Sequence, residues 1–162
     1  MTDGLDEIDR LIIRELQEDA RQSNVALAKK AGLTEGAVRR RVDRLMKAGA
    51  FRIVAVGDPN RLGLQTHAIF ALRCNLAQLD DIASRLAAMR ELSYVYETTG
   101  RYDVMAVGFF ASNEKVREFI TEKLAREDGV TACDTFMVMR TVKRSFRWGE
   151  AADDDLEATS DG

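Results

Sequence analysis

The chain has 162 residues, room for two small domains or one of ordinary size, with 46% hydrophobic and 31% charged residues and a net charge of −3. No apolar run is long enough to span a bilayer, and the acidic opening MTDGLDEID is the reverse of a secretory leader, so a cytoplasmic protein with no membrane partner is expected. Two cysteines, Cys74 and Cys133, are too few for a disulfide framework and lack metal-ligand spacing, which leaves two small core thiols, no metal and no cofactor.

The first periodic segment runs from Leu5 to Gln17. Leu5, Ile8, Ile12 and Leu16 keep a helical spacing, and Asp6, Glu7 and Asp9 suit a helix start because they face the positive end of the macrodipole. A second helix is expected over Asn24 to Ala31, capped by Ser23, with Leu27 and Ala31 on one face. Gly32 then ends it, since a left-handed backbone costs a glycine nothing. Thr34 caps a third helix, where Val38, Val42 and Leu45 form an apolar stripe and Arg39, Arg40, Asp43 and Lys47 point elsewhere.

Two helices meeting at a tight glycine turn, the second with cations on its free face, form the pattern of a helix-turn-helix presenting a recognition helix to the major groove. A helical hairpin with exposed arginines is also a common solvated surface. The charge distribution separates the two readings. Residues 21–52 hold nine Lys or Arg against two acids, a basic island of +7 in an acidic chain. That is the footprint of a face where cations replace the counterions of phosphates, so double-stranded DNA is the expected partner. Arg39 and Arg40 are the expected base-edge readers, with Thr34, Glu35 and Gly36 nearest the groove. Arg41 and Arg44 are expected to lean toward phosphates, and Ser23 and Asn24 join the candidate DNA contacts from the start of the second helix.

Phe51 to Val56 is β-rich and ends at Gly57-Asp58-Pro59-Asn60, which holds the only proline of the chain. Residues 51–64 read as a hinge strand and linker, either a wing or a plain connecting strand. Beyond residue 65 the pattern becomes strand (66–74), helix (76–89), two strands (92–100 and 102–110) joined at Gly100-Arg101, helix (113–126) and a long strand (130–142). The order βαββαβ is that of a ferredoxin-like unit, an antiparallel sheet with both helices on one face. The bare face invites self-association. In that topology the first and last strands are neighbours, so Cys74 and Cys133 should lie close as thiols. Residues 149–162 carry six acids and no base and read as a disordered tail.

The whole is an α+β chain: a three-helix helix-turn-helix domain over residues 1–50, a β hinge, and a ferredoxin-like domain over 65–148. This architecture, with LDEIDRLIIRELQEDAR, AGLTEGAVRRRVDRL, AFRIVAVGDPNRLG and TTGRYDVMAVG in that order, resembles the Lrp/AsnC family of transcriptional regulators. The resemblance implies a dimer through the C-terminal sheets, often assembled into octamers, and an amino-acid effector held between C-terminal domains. It places the effector motif on Gly100 and Asp103, with Tyr102 between and Thr135 and Met137 on the last strand lining the same crevice. Gly100 lets backbone N–H groups approach a carboxylate, and Asp103 can receive an α-ammonium. TTGRYD taken alone reads as a tight hairpin with glycine at the turn and Asp103 flanking it.

The chain departs from members that carry Ser-Pro or Ser-Ser at the recognition helix start. It has Thr34-Glu35-Gly36 there, and Gly36 lowers helix propensity by about 1 kcal/mol relative to alanine. Two other functions fit the same outline. One is an effector-free, DNA-wrapping architectural protein. The other is an enzyme, because siroheme decarboxylases share the architecture. His67 is the only histidine, and no phosphate-binding glycine loop or Ser/His/Asp set accompanies it, so catalysis is not expected.

Overall fold

In the computed structural model, which describes residues 4–146, the described residues divide into two units: 4–55 together with 143–146, and Val56–Val142. The acidic tail expected from residue 149 lies outside the described residues. The first unit contains α1 (Glu7–Glu18), α2 (Asn24–Ala31) and α3 (Glu35–Lys47). Each helix begins at a side-chain cap. Asp6 Oδ1 accepts from Asp9 N at 2.7 Å, Ser23 Oγ from Ala26 N at 3.2 Å and Thr34 Oγ1 from Ala37 N at 3.3 Å, satisfying one free N–H in each first turn.

α2 ends at Gly32 with φ 64°, and the N–H groups of Gly32 and Leu33 both return to Ala28 O. A Cβ on Gly32 would meet nothing within 4 Å, so the glycine answers a backbone requirement rather than a lack of space. The three helices share a core of Ile12, Leu16, Leu27, Ala28 and Val38, with Ile8, Leu33, Val42 and Phe51 packed around it. Ala28 takes the inner position on α2 beside Leu27, leaving Ala31 half-buried.

The second unit runs β1 (Thr66–Cys74), a 3-10 turn (Leu76–Gln78), α4 (Leu79–Ala87), β2 (Leu92–Glu97), β3 (Val104–Phe110), α5 (Asn113–Glu118) and β4 (Val130–Met137). The strands form one antiparallel sheet in the order β2-β3-β1-β4, the ferredoxin-like arrangement. Strand alternation sends Ala68, Phe70, Leu72 and Cys74 of β1 and Val104, Ala106 and Phe110 of β3 onto Ile82, Leu86, Val116, Phe119 and Leu124 of the helical layer. Gly108 of β3 is required there: a Cβ would sit 2.9 Å from Glu91 O and 2.7 Å from the Phe110 ring. Cys133 pairs with Leu72, two residues from Cys74 on the neighbouring strand, and both cysteines are free, in keeping with the expected strand order. Burial pushes both thiols up, which keeps them protonated and unreactive at neutral pH.

Three stretches differ most from expectation, and β2 and β3 are shorter than the expected 92–100 and 102–110, which leaves residues 98–103 as a loop. Phe51 to Val56 is not a strand: β-branched residues need a ladder partner, none is present among the described residues, and Ile53, Val54 and Val56 remain more than half exposed. β4 stops at Met137 instead of reaching Val142. It pairs only with β1, whose ladder is spent once Val138 N has bonded His67 O at 2.9 Å. The helix expected over 113–126 is α-helical only to Glu118, continuing as a π turn (Phe119–Lys123) and a 3-10 turn (Leu124–Arg126). A regular α turn after Phe119 would direct Lys123 inward. The wider turn brings Leu124 to the core and lets Lys123 Nζ reach Glu91 Oε1 at 2.7 Å.

Candidate functional site

On α3, the stripe Val38, Val42 and Leu45 turns inward, and Gly36, Arg39, Arg40, Asp43 and Lys47 are exposed. Thr34 and Ser23 hydroxyls accept backbone N–H bonds as caps, Asn24 is half-buried, and Glu35 and Gly36 stand exposed at the α3 N-terminus. Arg40 lies back along its own helix, as helical side chains do, with Nη1 3.6 Å from where a Gly36 Cβ would be. Arg39, Arg40 and Lys47 carry no ion pair among the described residues.

The other cations behave differently. Arg41 Nη1 lies 2.6 Å from Asp6 Oδ2 and 2.8 Å from Asp9 Oδ1, and Arg44 Nη2 lies 2.5 Å from Asp9 Oδ2. Lys30 is bonded to Glu15 and, at 2.9 Å, to Gln22 Oε1. The backbone N–H of Asp9 and the Arg41 guanidinium hold the Asp6 carboxyl below its ordinary range. Its bonds to Asp6 and Asp9 push Arg41 up. Arg41 and Arg44, expected as phosphate partners, therefore have carboxylate partners on and beside α1. Sequence reasoning missed Asp9, a fully buried charged residue. Its signal was present: Asp9, Ile12 and Leu16 share the i, i+3, i+7 spacing of the inner stripe, so an acid stood at a core position.

In the second unit, residues 98–103 join β2 to β3. Thr98 N bonds Asp103 O at 2.9 Å and Thr98 Oγ1 donates to Tyr102 O at 2.7 Å, closing the loop on itself. Gly100 sits at its tip with φ 106°, a backbone that other residues rarely adopt. Asp103 is tied to β1 twice: its N–H bonds Leu72 O at 2.9 Å, and its Oδ2 accepts from Cys74 N at 2.7 Å. The Tyr102 hydroxyl donates to Asp134 Oδ2 at 2.5 Å, which pushes the phenol up, and the Arg101 guanidinium lies 5.5 Å from the Tyr102 ring centre.

Gly100, Tyr102 and Asp103 are thus brought together, whereas Thr135 and Met137 are not. They pair with Phe70 and Ala68, on the helix-bearing side of the sheet, and Met137 is about 13 Å along the ladder from the loop within one chain. The β4 residue that meets the loop is Asp134. His67, the one histidine, stacks on Phe109 at 4.4 Å. Among the described residues no cluster of three or more His, Cys, Asp or Glu could hold a metal, and no helix is long and apolar enough to cross a membrane.

Known proteins share both units. The AsnC-type helix-turn-helix domain matches residues 5–46, and the Lrp/AsnC ligand binding domain matches residues 67–148. A helix-turn-helix-type transcriptional regulator of Pyrococcus horikoshii is 33% identical over 148 residues, 91% of either chain. The transcriptional regulator AzlB of Bacillus subtilis is 33% identical over 145 residues, 87% of this chain and 92% of that protein. In fold, the chain is similar to a transcriptional regulator of Neisseria meningitidis solved as an L-methionine complex, with a TM-score of 0.81 over 88% of this chain and 95% of that one at 24% identity. With a capped helix-turn-helix in one unit, the ferredoxin-like sheet in the other and these matches along nearly all of its length, the chain belongs to the Lrp/AsnC family of transcriptional regulators.

Proposed function

We propose that this regulator reads DNA through Arg39 and Arg40 and that an amino acid bound at the 98–103 loop adjusts that reading, in a cytoplasmic assembly of at least two copies. The observation that carries the DNA assignment is the division of charge on α3. Arg39 and Arg40 stand exposed without an ion pair near a capped N-terminus, while Arg41 and Arg44 are bonded to acids. An arginine that carries no internal partner is free to reach a guanine edge.

The effector class follows from the loop's chemistry. Gly100 opens the backbone to a carboxylate, and Asp103 Oδ1, which has no hydrogen bond among the described residues, offers a negative partner for an ammonium. The L-methionine complex of the Neisseria regulator supports an amino acid as the ligand class. Thr135 and Met137 would join such a site only across copies. The sheet's bare side supports the assembly: Tyr94 and Tyr96, Met105, Val107 and Phe109, Ile69 and Phe136 share it, with Tyr96 and Phe136 each 50% exposed. A second copy laid on that face removes apolar area from water.

The test is a titration of two duplexes at fixed salt, one selected by the protein from a random-sequence pool and one of scrambled sequence. Arg39→Ala should weaken binding to the selected duplex by about 1–3 kcal/mol and bind the scrambled one nearly as the parent does. An unchanged preference in Arg39→Ala would place the reading face elsewhere. Equal affinity of the parent for both duplexes would favour a DNA-wrapping architectural protein.

A further inference from the structure

The structure assigns Asp9 a positioning role in DNA recognition: its buried carboxylate grips Arg41 and Arg44, fixes the roll of α3, and withholds both cations from phosphates. This rests on the reading that α3 is the recognition helix. Asp9 is fully buried, and each of its oxygens faces one guanidinium, Oδ1 to Arg41 at 2.8 Å and Oδ2 to Arg44 at 2.5 Å. The Asp6 carboxylate holds Arg41 from a second side at 2.6 Å.

Arg41 and Arg44 are three positions apart, so their side chains leave α3 from neighbouring points on one flank. A single anion bridging them opposes rotation of α3 about its axis in either direction. Packing of Val38, Val42 and Leu45 sets which face of α3 is buried, and two short, directional charged hydrogen bonds add a restraint at its flank. The rotation matters because Arg39 and Arg40 lie on the same two turns. With a guanidinium tip about 9 Å from the helix axis, a roll of about ten degrees displaces it by about 1.5 Å, enough to lose a bidentate base contact. Grip on two cations also lowers the count of phosphates the unit can neutralise. Specificity thus gains at the expense of bulk affinity.

A role confined to folding would lower affinity for every duplex alike. The positioning role separates specific from bulk binding, and the salt dependence reports which cations touch phosphates. The experiment compares the full-length parent, Asp9→Asn and Arg44→Gln on the selected and scrambled duplexes across a salt series, with circular dichroism at each temperature used. Asp9→Asn keeps the shape and one acceptor but releases the charge. It should reduce the ratio of specific to bulk affinity about tenfold, the scale of one lost base contact, and steepen the logarithmic salt slope on the scrambled duplex by about 0.9 for each arginine released.

Arg44→Gln, at a half-exposed site and with Arg41 still holding Asp9, decides the matter even if Asp9→Asn does not fold. It should lower the specificity ratio while leaving the scrambled-duplex salt slope as in the parent. A slope reduced by about 0.9, with both affinities falling together, would make Arg44 a phosphate contact and overturn the proposal. So would an unchanged ratio in a folded Asp9→Asn. If Arg39→Ala in the same series keeps the parent's preference for the selected duplex, the recognition-helix reading itself fails, and that outcome is distinct from a failure confined to Asp9.

Discussion

Gly32, Thr34 and Asp103 each occupy a position that one chemical property explains. Gly32 holds a left-handed φ with open space around its α-carbon, so Gly32→Ala should cost about 1–2 kcal/mol in denaturant unfolding through backbone strain alone. Thr34→Ala removes the α3 cap and should cost about 1 kcal/mol in the same measurement. These positions were legible in the sequence because a cap and its N–H lie three residues apart and a helix-ending glycine needs no distant partner. Asp103 was only half legible. Its place in the loop motif came from the family resemblance, since the residue pattern alone put it in a strand, and its bond to Cys74 N joins strands 29 positions apart and appears only once β1 and β3 are paired. That bond also selects the substitution. Asp103→Asn keeps an acceptor for Cys74 N and removes the charge, where alanine would remove both.

The elements follow from periodicity wherever burial has one side. α1, α3 and α4 present apolar residues at helical spacing, and β1 and β3 are short apolar, β-rich runs bounded by turn residues, so all five were legible. The segments that misled are those whose state depends on a neighbour. Phe51 to Val56 has strand-forming residues and no ladder, and β4 ends where its partner ends. The π turn in the last helix was hidden because windows of helical spacing cannot tell a step of four from a step of five. Lys123 at the four-step position and Leu124 at the five-step position held the clue. In the sheet core, Phe70 is fully buried against Phe110 and Phe119, and Phe70→Ala should cost about 3–5 kcal/mol by calorimetric or denaturant unfolding.

Contacts between helices carry a pH signature as well. The Asp6 carboxyl is lowered in the fold by Asp9 N–H and Arg41, and Glu15 by Lys30 and Gln22. A group whose folded value lies below its unfolded one stabilises at pH above the unfolded value and loses that effect as pH falls through the folded one. The first unit should therefore become easier to unfold as pH drops below about 4, followed by helical circular dichroism. Asp6→Asn should flatten that dependence. An unchanged pH dependence in Asp6→Asn would show that Asp6 is not held by these bonds.

At the scale of the whole molecule, the proposed coupling of effector to DNA needs a means, and the bare sheet face offers one. Tyr102 bonds Asp134, which shares the side of β4 that carries Phe136, so the loop proposed for the effector is tied to the face proposed for a second copy. Phe136→Glu should shift sedimentation toward monomer while leaving each unit folded; an unchanged assembly would place the interface elsewhere. A ligand can move an assembly only by its differential affinity for the two states, and the coupling is reciprocal. The measurement that tests this most directly is anisotropy of the selected duplex titrated with the parent and with Asp103→Asn, each with and without saturating amounts of each proteinogenic amino acid in turn. At least one amino acid should change the parent's DNA affinity about fivefold or more and leave Asp103→Asn unmoved, while the two proteins bind DNA alike in its absence. An amino acid that shifts both proteins equally would contradict the site, and a parent that answers to none would contradict the coupling itself.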